Sequence, residues 1–174
     1  MGKRYVAIGL PLGAWKGGEG VVLIGGRRLR MPSAVYYVWT VLSSVVDSVR
    51  GVEKEVDALV EHGAVLILEE GKEWEALSPL RVIPQAYPAV SVEASLPPPL
   101  AVLTKINSGE TKTLELVLSW WEYELYSEFD GISTLERALQ RAKKRVEIDE
   151  GKAADFVLDL KKLNFILLDA CPSG

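Results

Sequence analysis

Apolar side chains at Val52, Val56, Leu59 and Val60 fall on one face of a helix, and Glu53, Lys54, Asp57 and Glu61 fall on the other. This spacing predicts an amphipathic helix over 52–62. Gly63 can take the left-handed conformation that ends a helix, with His62 suited to its negative end. Residues 64–68 are uniformly apolar and read as a strand. After the polar turn Glu69, Glu70, Gly71 and Lys72, residues 73–77 are expected to return as a second strand, completing a hairpin. A shift of 100 positions brings 153–170 onto the same order of helix, break and apolar strand, matching Val56 with Phe156, Val60 with Leu160 and 65–68 with 165–168. Two readings stay open: a tandem structural duplication, or two unrelated helices that each run into a strand.

Upstream, residues 5–8 read as a short strand. Two strands over 21–24 and 27–31 flank Gly25 and Gly26, both able to adopt the positive φ of a tight turn. Pro32 and Ser33 start a helix, and Val35, Val38, Trp39, Leu42 and Val46 continue it at helical spacing. The link 47–51 leaves no room for another complete helix before 52. Pro84, Pro88, Pro97, Pro98 and Pro99 then stiffen the chain, so the expected division is an N-terminal domain 1–83, a proline-rich linker 84–100 and a C-terminal domain 101–174.

In the second half a strand over 101–106 and a turn at 107–109 precede 113–129, read as one helix. Leu114, Val117, Leu118, Trp121 and Leu125 form one face, and Leu116, Trp120, Tyr123 and Tyr126 extend the apolar surface beyond it. Such a helix needs cover on more than one side, so Trp120, Tyr123 and Tyr126 are candidate protein-interface residues, at a seam between the halves or between subunits. Ser133 and Glu136 read as a capping box ahead of the stripe Leu135, Ala138, Leu139, Ala142 and Val146. The outer side of that helix carries Arg137, Arg141, Lys143, Lys144 and Arg145. After a turn at 147–151, a third helix runs to 162 and a strand begins at Phe165.

Three helices in this order followed by an apolar strand, in the stretch DGISTLERALQRAKKRVEIDEGKAADFVLDLKKLNFILLD, resemble the winged-helix superfamily. The spacing is also similar to the small winged-helix peptide-recognition domains that serve peptide-modifying enzymes. The resemblance covers about 101–170, and 21–77 more loosely. It implies an α+β fold of two winged-helix-like halves, the first abbreviated. It also implies a third helix laid in the major groove of DNA, which would be 152–162, and 52–62 in the first copy. The acidic outer face of 52–62 would meet phosphates with like charge. Only Arg137, Arg141, Lys143, Lys144 and Arg145 and the strand carrying Arg27, Arg28 and Arg30 are suited to duplex contacts; the alternatives are a solvated helix face and a charged edge strand that resists aggregation.

Charge and composition narrow this further. The 174 residues carry a net charge of −4, against a surface that embraces nucleic acid on every side. One cysteine, Cys171, excludes a disulfide framework and fits a reducing cytoplasm. No run approaches the ~20 apolar residues of a membrane span. Two Gln and two Asn resemble a thermophile's avoidance of labile amides. The glycines between 9 and 20 lack phosphate-loop spacing. His62 stands alone, and Glu69, Glu70, Glu73 and Glu75 lack the spacing of an oxygen-ligand loop. No catalytic residue, metal or cofactor is expected. The reading is a non-enzymatic regulatory protein that binds duplex DNA, with a protein- or peptide-binding adaptor using the aromatic helix and strand edges as the alternative, and self-association as a further option.

Overall fold

The computed structural model describes residues 2–15, 18–91, 100–106 and 113–172. Strand β1 (Lys3–Ala7) runs antiparallel to β5 (Val65–Glu69), with Ala7 opposite Val65. Between them the chain makes a three-stranded antiparallel meander, β2 (Leu10–Trp15), β3 (Glu19–Ile24) and β4 (Arg27–Pro32), and then helices α1 (Ser33–Val41) and α2 (Glu53–Glu61). The β3–β4 turn is the expected two-residue one, with Gly25 and Gly26 at φ 54° and 86°. α1 stops short of the expected 46. Val46 instead exchanges two backbone hydrogen bonds with Tyr5, at 2.8 and 3.0 Å, and a β-branched segment gains more from pairing with β1 than from another helical turn.

Residues 73–77 form a helix, α3 (Glu73–Leu77), where a strand was expected. Their acid-apolar alternation has a period of two. However, Glu, Ala and Leu favour the helix, and as a helix the segment buries Leu77 and packs on α6 (Glu150–Lys162).

The second unit opens with β6 (Leu80–Pro84), which pairs antiparallel with the last strand, β10 (Ile166–Ala170). Between these lie the meander β7 (Tyr87–Ser91), β8 (Leu100–Ile106) and β9 (Thr113–Leu118), and helices α4 (Trp120–Tyr126), α5 (Leu135–Ala142) and α6 (Glu150–Lys162). Residues 84–100, expected as a linker, thus hold the end of β6, all of β7 and the start of β8. Residues 92–99 and the turn expected at 107–109 lie outside the described residues.

The single helix expected over 113–129 is a strand and a helix joined at Ser119. Leu116 and Leu118 turn inward while Glu115 and Val117 face out, a period of two. Glu122 then accepts hydrogen bonds from the Ser119 N–H at 2.7 Å and hydroxyl at 2.8 Å, fixing the start of α4. The cap of α5 is Thr134, whose hydroxyl oxygen accepts from the Arg137 N–H. Ser133, the expected cap, gives its hydroxyl to Asp130.

The two units repeat each other bond for bond where helix turns into strand. His62, Gly63 and Ala64 donate their N–H groups to the carbonyls of Ala58, Val60 and Leu59; Leu163, Asn164 and Phe165 donate to Asp159, Lys161 and Leu160. Gly63 and Asn164 both take the left-handed conformation, at φ 71° and 55°. The equivalence of 63 with 164 is a shift of 101, one more than the sequence comparison suggested. Upstream, Ile8 donates to Ala64 as Gln85 does to Phe165, and the Tyr5 carbonyl takes the Val46 N–H as that of Val82 takes Gly131. Where the second unit has α5, the first has only the link from α1 to α2.

The units share one hydrophobic core, in which Leu59, Leu68, Leu77, Leu160, Phe165 and Leu168 are buried. α3 packs on α6, β10 lies beside β2, and the Gly9 N–H donates to the Leu168 carbonyl at 2.8 Å. Asp169, 0% exposed, binds the Arg81 guanidinium, with Nε at 3.0 Å, and accepts the Gly25 N–H at 2.9 Å. Arg4 occupies the equivalent place in the first unit and pairs with Glu73 at 2.5 Å. Asp169→Ala would leave the half-buried Arg81 guanidinium with only the Gly131 carbonyl and the Gly25 N–H without its acceptor, and is expected to lower unfolding free energy by about 2 to 4 kcal/mol. The double variant Arg81→Met, Asp169→Leu should recover most of that loss. Urea denaturation checks both, and a single-variant cost near zero would remove Asp169 from this structural role.

Candidate interaction groove

The strongest basic patch in the sequence is partly neutralised by its own fold. Arg141 holds Glu128 at 2.6 Å and Asp130 at 3.3 Å, and Arg145 pairs with Glu124 and Glu128. These bonds tie α5 to the turn after α4, and the turn after α5 back to α4. Arg137, Lys143 and Lys144 stay exposed and make no ion pair among the described residues. Burial would raise the Asp130 pKa, but N–H groups of Ser133 and Ile132, the Ser133 hydroxyl and the Arg141 charge outweigh it and bring it to about 2. The Arg145 guanidinium, working against burial and assisted by Arg141, likewise holds Glu128 below the usual carboxylate range.

The aromatic candidates separate as well. Trp120 is 44% exposed and lies against Tyr123, with ring centroids 5.4 Å apart. Tyr126 is not a surface residue: it is 2% exposed, donates its hydroxyl to the Ala86 carbonyl at 2.7 Å, and burial pushes its pKa up to about 12. Trp121 meets Phe156 edge-on. α4 therefore belongs to the interior of the second unit, packed on β8, β9 and α5, while the seam between units is made by α3 with α6 and β10 with β2.

The remaining arginines, Arg27, Arg28 and Arg30, lie on β4, and β4 is the outer strand of its sheet. A two-residue turn makes Ile24 and Arg27 a hydrogen-bonded pair, so by alternation Arg28 and Arg30 turn their backbone N–H and C=O groups away from β3. Their side chains are exposed, whereas Met31 is buried and Leu29 half-buried. Opposite this free edge stands α2. Between them is a cleft of about 110 Å³ lined by Leu29, Arg30, Met31 and Pro32 from the strand, Val35 from α1, and Ala58, Leu59 and His62 from α2. Arg27 closes one end, donating to the His62 carbonyl at 3.3 Å.

The cleft exists because α2 is lightly covered. α2 buries only Val56 and Leu59, while its counterpart α6 buries seven of its thirteen residues. The arginines were legible from sequence; Leu29, Ala58 and Leu59 as groove lining were not, since the groove joins segments thirty residues apart. The only earlier sign was Leu29 set between arginines.

His62 is exposed at the end of α2 and Cys171 is exposed near the C-terminus. Glu69 pairs with Lys72 at 2.8 Å. Among the described residues no three His, Cys, Asp or Glu side chains converge as a metal site, and no helix is long and apolar enough to cross a membrane. Comparison with protein-family models, with curated proteins and with solved structures gives no match for this chain.

The carboxylate network sets an acid limit. Asp130 and Glu128 have lowered pKa values in the folded chain, so the stability they contribute is complete above their ordinary range and is lost as pH falls. Urea midpoints are expected to drop between pH 3.8 and about 2, and Asp130→Asn should flatten that fall. Equal acid sensitivity in the variant would place the effect elsewhere.

Proposed function

We propose that this chain is a non-enzymatic adaptor of winged-helix type, and that it takes an extended acidic segment of a partner protein as an added strand on β4. The observation that carries this reading is the free β4 edge facing an apolar cleft on α2. Backbone groups at Arg28 and Arg30 supply sequence-independent hydrogen bonds, the cleft accepts one apolar side chain, and the arginines select for acidic neighbours. The first unit repeats the hydrogen-bonded frame of the second but lacks its middle helix, which is what leaves α2 open to a ligand.

Duplex DNA is the competing ligand, and the engagement of the second basic cluster by carboxylates favours peptide. Two of the five cations on α5 and the turn after it, Arg141 and Arg145, are engaged with carboxylates, which leaves fewer of them for a phosphate backbone, whereas the β4 arginines make no ion pair among the described residues.

The test is fluorescence polarisation with labelled peptides of about eight residues alternating Val with Glu, or Val with Lys. The Glu peptide should bind more tightly, and Arg28→Glu with Arg30→Glu should weaken it by about tenfold or more and favour the Lys peptide. Ala58→Trp, which fills the cleft, should abolish binding of both. Salt-sensitive binding of a duplex of about 20 base pairs, with no peptide bound, would overturn the proposal in favour of DNA.

A further inference from the structure

A second cavity, of about 270 Å³, lies between the two units at the C-terminal end of α6. Two lysines line it, Lys161 from α6 and Lys105 from β8, and no acidic side chain does so among the described residues. Lys161 is 2% exposed. By the bond-for-bond equivalence of the two helix ends it stands where the first unit has Val60, a position that suits an apolar residue. Lys105 donates to the Asn164 carbonyl at 2.6 Å, answering the end of the helix. The Lys161 ammonium makes no hydrogen bond or ion pair among the described residues; its stem is buried and its tip is open to the cavity. It differs in this from Asp169 and Glu124, the other buried charges, each of which has an arginine.

An ammonium on a buried stem that meets only a narrow cavity is poorly hydrated and has no counter-charge, and a second one beside it adds repulsion. Burial first, and the Lys105 charge second, push the Lys161 pKa down to about 8; burial lowers that of Lys105 as well. Trp39, Thr40 and Ser43 of the first unit and Gln85 of the second also line it, so the pocket is open to solvent, cationic and supplied with hydroxyls and an amide. An anion would relieve both costs at once.

We propose that this cavity binds a small oxyanion, a carboxylate or a phosphate, held between the Lys161 and Lys105 ammonium groups. The volume limits the ligand to a few heavy atoms or to the anionic end of a longer molecule. This site is separate from the β4 groove and does not depend on it.

Isothermal titration calorimetry of the full chain near pH 8, with sodium phosphate and sodium succinate as the two probes, tests this directly. Binding by phosphate, succinate or both is expected, and the stronger of the two identifies the anion class. Anion binding stabilises the charged Lys161, so protons should be taken up, seen as a dependence of the heat on buffer ionisation enthalpy. Lys161→Met should weaken binding by about tenfold or more and remove the proton uptake. Lys105→Gln should weaken it too, whereas Lys162→Gln, at an exposed residue paired with Asp159, should leave it unchanged. The proposal is overturned if neither probe binds at about 10 mM. It is also overturned if folded Lys161→Met binds as the natural chain does, or, should that variant fail to fold, if Lys105→Gln binds unchanged.

Discussion

A carboxylate sealed from water must be surrounded by donors, and that requirement at Asp169 connects most parts of this molecule. One oxygen takes the guanidinium of Arg81, its cross-strand neighbour on β6; the other takes the N–H of Gly25, at the tip of the β3–β4 hairpin. Arg81 in turn donates to the Gly131 carbonyl, in the turn that leads to α5. Four segments from both units thus converge on a single acidic side chain. Hydrophobic burial supplies the larger share of stability, but it is indifferent to orientation. The ion pair and its N–H fix which hairpin meets which strand.

Helix ends and tight turns were the most legible features, because their signals are local. Gly63 after an amphipathic stretch and the Gly25-Gly26 pair each specified their geometry within a few residues. Residues 73–77 and 113–118 were misread for a common reason: over five or six positions, periods of two and of 3.6 select overlapping sets of apolar residues, and the partner strand decides. The proline-rich stretch misled in another way. Pro84 and Pro88 sit in β6 and β7, strands with a single hydrogen-bonded neighbour, where a missing N–H can be tolerated. The β4 groove was half legible: its arginines stand out, but its apolar floor depends on α2 being brought alongside. Lys105 and Lys161 gave no sign at all, since nothing in a lysine's sequence neighbourhood reports burial.

The distribution of charge follows the same logic. Arg141 and Arg145 look like a surface patch until Glu124, Glu128 and Asp130 are folded against them, after which they act as crosslinks between α4, its following turn and α5. The β4 arginines make no ion pair among the described residues. Two clusters of similar composition therefore differ in availability, according to whether the adjoining helix brings carboxylates with it. The missing middle helix of the first unit has a parallel effect, leaving α2 less covered than its counterpart.

The pairing of β6 with β10 also fixes an order of events during synthesis. β1 finds β5 after about sixty residues, so the first unit can close its sheet while the rest of the chain is still being made. β6 has to wait for residues 166–170. Until the ribosome releases them, Leu80, Val82 and the Arg81 guanidinium have no strand to lie against, and the hairpin tip at Gly25 has no carboxylate to dock on. The nascent chain therefore carries an exposed apolar edge while residues 85–165 are made, and β10 acts as the latch that ends that exposure.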